Sequence, residues 1–158
     1  MPMRDSFHDD LDGIGVSLVE MGHLVNKAME RATTALLTAD LKVAEEIISE
    51  DDAIDEMQHD IEARAINLMA RQQPVAGDLR TLVTSLRMSA DLERMGDLAH
   101  HVAKLTRMRY PSAAVPPELV LTLQEMGNVT ARITKKAIGV IESRDLEAAL
   151  QLEKDDDE

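Results

Sequence analysis

The sequence predicts an all-α fold of long helices packed into bundles. Aromatic residues make up 1% of the chain and hydrophobic residues 44%, so the core must be built from Leu, Ile, Val, Ala and Met, which suit interdigitating helices. Apolar residues recur at alternating steps of four and three over long stretches. Gly and Pro are few, 7 and 5 in 158 residues, and β-branched runs are scarce. That length allows one domain, or one domain and part of another.

The first helix is expected from about Ser6 to Leu37. Phe7, Leu11, Ile14, Leu18, Met21, Val25, Ala28, Ala32 and Ala35 form a heptad seam longer than an ordinary globular helix sustains. Thr38-Ala39-Asp40 follows, with Asp40 as N-cap of a second helix, expected from about Leu41 to Arg71. Its stripe reads Ile47, Asp51, Ile54, Gln58, Ile61, Ala65 and Leu68, with Asp55 one turn beyond Asp51. Pro74 ends it, since proline lacks the N–H donor and disfavours helical geometry before it.

The third helix is expected to start near Val75 to Asp78 and to reach about Arg107. Its apolar face is read as Leu79, Leu82, Leu86 and Ala90, turning acidic at Glu93 and Asp97. Tyr110-Pro111 to Pro116-Pro117 reads as a linker. A fourth helix should run from about Glu118 to Glu142, and a fifth should begin after Ser143-Arg144-Asp145. A shift of 105 positions lays Met21-Gly22 on Met126-Gly127, Asp40-Leu41 on Asp145-Leu146 and Asp51-Asp52 on Asp156-Asp157. The chain therefore divides into a three-helix bundle at 1–108, a linker at 109–117 and a partial second repeat at 118–158.

The net charge of −13 argues against nucleic-acid partners and against adsorption to an anionic membrane. With no cysteine, disulfides and thiolate metal sites are excluded. No stretch approaches membrane-spanning length and the N-terminus lacks a signal-peptide pattern, so a soluble intracellular protein is expected.

Asp51/Asp55 and Glu93/Asp97 share one form: an acid, three residues, then Asp. Residues four apart share a helix face. In an antiparallel hairpin centred on Pro74, position 51 falls opposite 97 and 55 opposite 93, at one height about 30 Å from the turn. Four convergent carboxylates repel one another unless a cation compensates them, and an oxygen-only donor set suits hard or borderline ions. The other reading is a solvated face on a protein with 30 acidic residues, with Arg87 and Arg94 neutralising the acids. Glu56–His59 and Asp97–His100 resemble di-iron ligand pairs, but His59 falls opposite position 89, far from His100.

The segments R-Q-Q-P-V-A-G-D-L-R (71–80) and D-L-E-R-M-G-D-L-A (91–99), with Met21-Gly22 and D-D-A-I-D (51–55), closely resemble the PhoU family over nearly the whole chain. The resemblance implies cytoplasmic, non-enzymatic negative regulation of the bacterial phosphate-starvation response. It implies contacts with the phosphate ABC transporter and a membrane-bound sensor histidine kinase, so that membrane association is indirect. It also implies two three-helix bundles. Acid–xxx–Asp motifs in members bind multinuclear iron or zinc or other divalent ions such as magnesium or manganese. Carried over, the candidate ligands are Asp51, Asp55, Glu93 and Asp97, with Asp156 at the start of a second such motif whose partner position lies past residue 158. The chain departs from the family pattern in holding only part of the second bundle, as a fragment or a short form would. An exposed face on the fourth helix (Leu119, Leu123, Met126, Ile133) then favours a homodimer or higher oligomer. The rival reading is a di-metal carboxylate oxidase or phosphohydrolase, which would need an open coordination position and a substrate pocket.

Overall fold

The computed structural model describes the backbone of residues 2–157 and the side chains of residues 6–50 and 52–157. Five α-helices follow one another: α1 (Pro2–Thr38), α2 (Leu41–Gln72), α3 (Ala76–Arg109), α4 (Val120–Ser143) and α5 (Leu146–Asp155). A single 3-10 turn, Pro117–Leu119, leads into α4. No strand occurs among the described residues.

The junctions follow from local chemistry. Asp40 caps α2, its side chain accepting from the Val43 N–H at 3.1 Å. Asp145 caps α5, accepting from the Glu147 and Ala148 N–H groups. Immediately before each cap a non-glycine residue takes the left-handed conformation, Ala39 with φ 53° and Arg144 with φ 55°. The two junctions are thus alike in conformation as well as in sequence. Gln73, also left-handed, closes α2, and Pro74 follows it.

α1, α2 and α3 form an up-down-up bundle, and α1 occupies the middle of the molecule. On one side it packs against α2 and α3; on the other it packs against α4. The α1 seam is borne out: every member is buried except Ala28, which is partly buried. Larger residues fill one end of the bundle, with Ile14, Leu18, Met21, Ile61 and Leu82 among them. At the other end Ala32, Ala35, Ala44, Ala99 and Ala103 surround Ile47. The core therefore changes from large side chains to alanine towards the α1–α2 turn, and alanine lets helix backbones approach.

The α3 face is corrected. Its buried row is Leu82, Ser85, Ser89, Leu92, Gly96, Ala99, Ala103 and Thr106, while Leu79 and Ala90 are exposed. Small residues win the inward face because three helices converge on it. The buried hydroxyls are satisfied within the helix: Ser85 donates to Thr81 O at 2.9 Å and Ser89 to Leu86 O at 2.8 Å. The acids Glu93 and Asp97 flank this row and do not interrupt it.

α4 runs antiparallel to α1 and, among the described residues, packs on α1 and α5 without touching α2 or α3. Arg144 at its C-terminal end reaches Asp12 on α1 at 2.8 Å. Leu119 and Met126 are exposed, and Leu123 and Ile133 are half-buried. Among the described residues α5 rests on α4 alone, tied by an ion pair between Lys136 and Asp155.

Candidate functional site

The carboxylates of α2 and α3 are brought to one level by a close helix–helix approach. Ile54 packs against Gly96, whose missing Cβ would lie 3.0 Å from Cδ1 of Ile54. Ile54 thus sits two residues along α3 from the position the hairpin arithmetic gives, about half a turn. Asp55 adjoins Ile54 on α2, while Glu93 and Asp97 bracket Gly96 on α3. All three acids are half-buried. The level is also where the core changes from the large-residue cluster to the alanine cluster.

The Asp51 side chain lies outside the described residues. Asp156, just past α5, is exposed. On α3, Arg94 donates to Asp97 Oδ2 at 3.4 Å, a long contact between partly solvated groups. His59 is exposed and His100 half-buried beside His101, their ring centroids 6.4 Å apart.

The chemistry of this donor set fits a hard cation. Its donors are carboxylate oxygens from two facing helices, held away from full solvation. Among the described side chains, no three of His, Asp or Glu gather as one metal-holding group. The fit therefore rests on donor type and level alone.

A feature missed at the level of sequence is a largely apolar crevice beside this site, edged by Lys27, Arg31 and Glu50. It encloses about 190 Å³ between α1, α2 and α3, and Lys27 and Arg31 line it with Ile54 and Gly96. Arg31 crosses from α1 to α2, donating to Glu46 at 2.7 Å and Glu50 at 2.6 Å. The signal was present as acids one turn apart at 46 and 50, opposite Arg31 in a hairpin centred near Ala39.

A larger groove of about 390 Å³ lies between α1, α3 and the α4–α5 junction, lined by Leu18, Arg80, Met88, Ile141 and Arg144 among others. None of the described candidate ligands lines it.

Comparison with known proteins bears directly on the whole chain. The PhoU domain family matches residues 18–106. The "Phosphate-specific transport system accessory protein PhoU homolog 2" of Mycobacterium tuberculosis is 44% identical over 155 residues, covering 98% of this chain and 73% of that protein. The corresponding PhoU homolog of Clostridium acetobutylicum is 35% identical, covering 98% of this chain and 70% of that protein. Among solved structures, the phosphate transport system regulatory protein PhoU from Streptococcus pneumoniae superposes with a TM-score of 0.84 at 27% identity, over 96% of this chain and 70% of that one. PhoU from Pseudomonas aeruginosa gives 0.84 at 28% identity, over 92% of this chain and 69% of that one. The repeat of helix, junction and helix, the paired acid–xxx–Asp turns and these matches agree, and the chain belongs to the PhoU family.

Proposed function

We propose that this protein is a non-enzymatic regulatory adaptor of a bacterial phosphate transport system. It restrains the phosphate-starvation response by contacting the phosphate transporter and a sensor histidine kinase from the cytoplasmic side. The observation that carries the reading is the 44% identity, over 98% of the chain, to a protein named as a phosphate-specific transport accessory protein. Among the described residues no helix is long and apolar enough to cross a membrane, so the reading places contact with the membrane in its partners. We read 1–108 as one bundle, 109–117 as linker and 118–158 as the opening of the second repeat, and self-association through α4 belongs to the same reading.

The site reading is that Asp51, Asp55, Glu93 and Asp97 hold divalent or trivalent cations, with Asp156 contributing to a second position. When bound, such a cation supplies positive charge that offsets carboxylate repulsion. The protein's own part is to set the spacing of α2 and α3 through the Ile54–Gly96 contact, and so to shape the surface these helices offer. The enzyme alternative has less support, because among the described residues none of Asp55, Glu93, Asp97 and Asp156 lines the substrate-sized groove.

The test has two arms. Elemental analysis of protein purified without chelator should find bound metal, and Glu93→Ala with Asp97→Ala should lose it while circular dichroism is unchanged. Equal metal content in both proteins would sink the site assignment. Expression in a strain lacking its own PhoU should restore repression of a phosphate-starvation reporter; failure to restore it in a well-expressed, folded chain would overturn the regulatory reading.

A further inference from the structure

Helix α3 carries apolar groups on two opposite faces. One is the buried row against α1 and α2. Diametrically outward, at helical spacing, stand Leu79, Val83, Leu98, Leu105 and Met108, which are 41%, 37%, 45%, 50% and 76% exposed. Scattered exposed apolar residues need no explanation, but a row along one helix does, since a solvated outer face is ordinarily polar. This row spans roughly 45 Å at 1.5 Å per residue. No other helix covers it among the described residues, because α3 packs on α1 and α2 only.

The row's charge is opposite to that of the protein. Arg87 and Arg94 sit on its midline, between the apolar groups at either end. Among the described residues Arg87 makes no ion pair, and Arg94 pairs only with Asp97 at the edge, at 3.4 Å. The chain as a whole carries −13, yet α3 has six basic residues against four acids, Asp78, Asp91, Glu93 and Asp97. A second copy laid face to face would set arginines against arginines. Apolar groups at both ends of a straight helical face, Leu79 and Val83 at one and Leu98, Leu105 and Met108 at the other, fit a helix laid along it, and the basic groups between them fit acids on that helix.

We propose that the outward face of α3, from Leu79 to Met108, docks an amphipathic helix of a partner protein bearing an apolar seam flanked by Asp or Glu. The apolar groups supply the buried area, and Arg87 and Arg94 set sign and register. The proposal deepens the adaptor reading and rests on it only in requiring a protein partner.

The test uses two labelled synthetic helices of about four heptads, with Leu at the seam positions and either Glu or Lys on both flanks. Like-charged flanks keep each peptide from pairing with itself. Fluorescence anisotropy with the full chain should show binding of the Glu peptide at least tenfold tighter than the Lys peptide, weakening with salt. Leu98→Glu with Leu105→Glu, at exposed positions, should weaken the Glu peptide about tenfold or more with unchanged circular dichroism. Arg87→Glu with Arg94→Glu should reverse the preference towards the Lys peptide. Equal binding of both peptides, no binding up to about 1 mM, or indifference to both variants would overturn the proposal. So would a wild-type dimer that Leu98→Glu with Leu105→Glu abolishes, since the occupant would then be a second copy. The starvation reporter separates the two readings: intact peptide discrimination without repression defeats the phosphate reading and leaves the docking face standing.

Discussion

Gly22 lies against Ile138 with no room for a side chain: a methyl group there would stand 2.7 Å from Cγ1 of Ile138. The relationship has a twin. A methyl on Gly127 would stand 2.6 Å from Cγ2 of Thr33. The shift of 105 positions carries Gly22 to Gly127 and Thr33 to Ile138, so the two contacts are one contact seen from either repeat. α1 and α4 cross about a pseudo-two-fold axis, and glycine makes the crossing close.

Gly22→Ala should therefore destabilise the protein by about 1–2 kcal/mol, because overpacking against a fully buried, β-branched Ile138 outweighs the gain in helix propensity. Gly139, with nothing within 4 Å of an added Cβ, gives the opposite sign: Gly139→Ala should stabilise by about 0.5–1 kcal/mol. Urea unfolding reads both. Shifts of the same sign would refute the steric account.

Ala39→Gly should raise stability by about 0.5–1 kcal/mol, since an alanine with φ 53° bears a Cβ penalty that glycine does not. Arg144→Gly should gain less, because it also removes the Asp12 ion pair. A thermal melt in which Ala39→Gly is less stable than wild type would contradict this.

The Asp155 carboxyl is held below the usual carboxylate range, first by hydrogen bonding to Lys136 and then to Gln151. A lowered native pKa means that its contribution is fully present above the ordinary value of 3.8 and is lost as pH falls through the native value. Amide exchange in α5 should accelerate as pH falls below about 4, after correction for intrinsic rates, and Asp155→Asn should remove that pH dependence. An α5 equally protected at pH 3 and pH 6 would rule it out.

Gly96→Ala should weaken metal binding without touching a ligand. The added methyl meets Ile54 at 3.0 and 3.2 Å, so the Ile54 side chain must give by a few tenths of an ångström or α2 and α3 must part by as much at the carboxylate level. A loss of about 10-fold in affinity by isothermal titration is expected, the size usual for groups that position ligands. Wild-type affinity would show that the contact does not set the site.

Leu119, at the end of the 3-10 turn, and Leu121 and Met126 of α4 project into solvent. Sedimentation velocity should show concentration-dependent association, and Leu119→Glu with Met126→Glu should shift it towards monomer. A wild-type monomer at every concentration would contradict self-association through this helix.

Most of the fold was legible because it rests on local signals. The α1 seam, the Asp40 and Asp145 caps and Pro74 each act within a few residues, and each element lies close to its expected bounds. The α3 face was not legible for a physical reason. Spacing put Leu79 and Ala90 on the packed face beside Leu82 and Leu86, yet both are exposed, and the packed face instead takes in Ser85, Ser89, Gly96 and Ala99, chosen by how closely three helices can meet. Side-chain hydropathy says little about such a face. Near the candidate site the register of α2 against α3 was readable to half a turn, whereas the Ile54–Gly96 contact that fixes it needed the third dimension.

The central place of α1 carries a consequence for ancestry. Since α4 presents to α1 the same crossing that α1 presents to α4, a one-repeat chain could satisfy that crossing only with its own twin. Residues 1–109 expressed alone should accordingly form a two-fold pair through Gly22 and Thr33, with each copy's first helix standing in for the other's fourth. Gene duplication would then have turned an association that depends on dilution into one that does not.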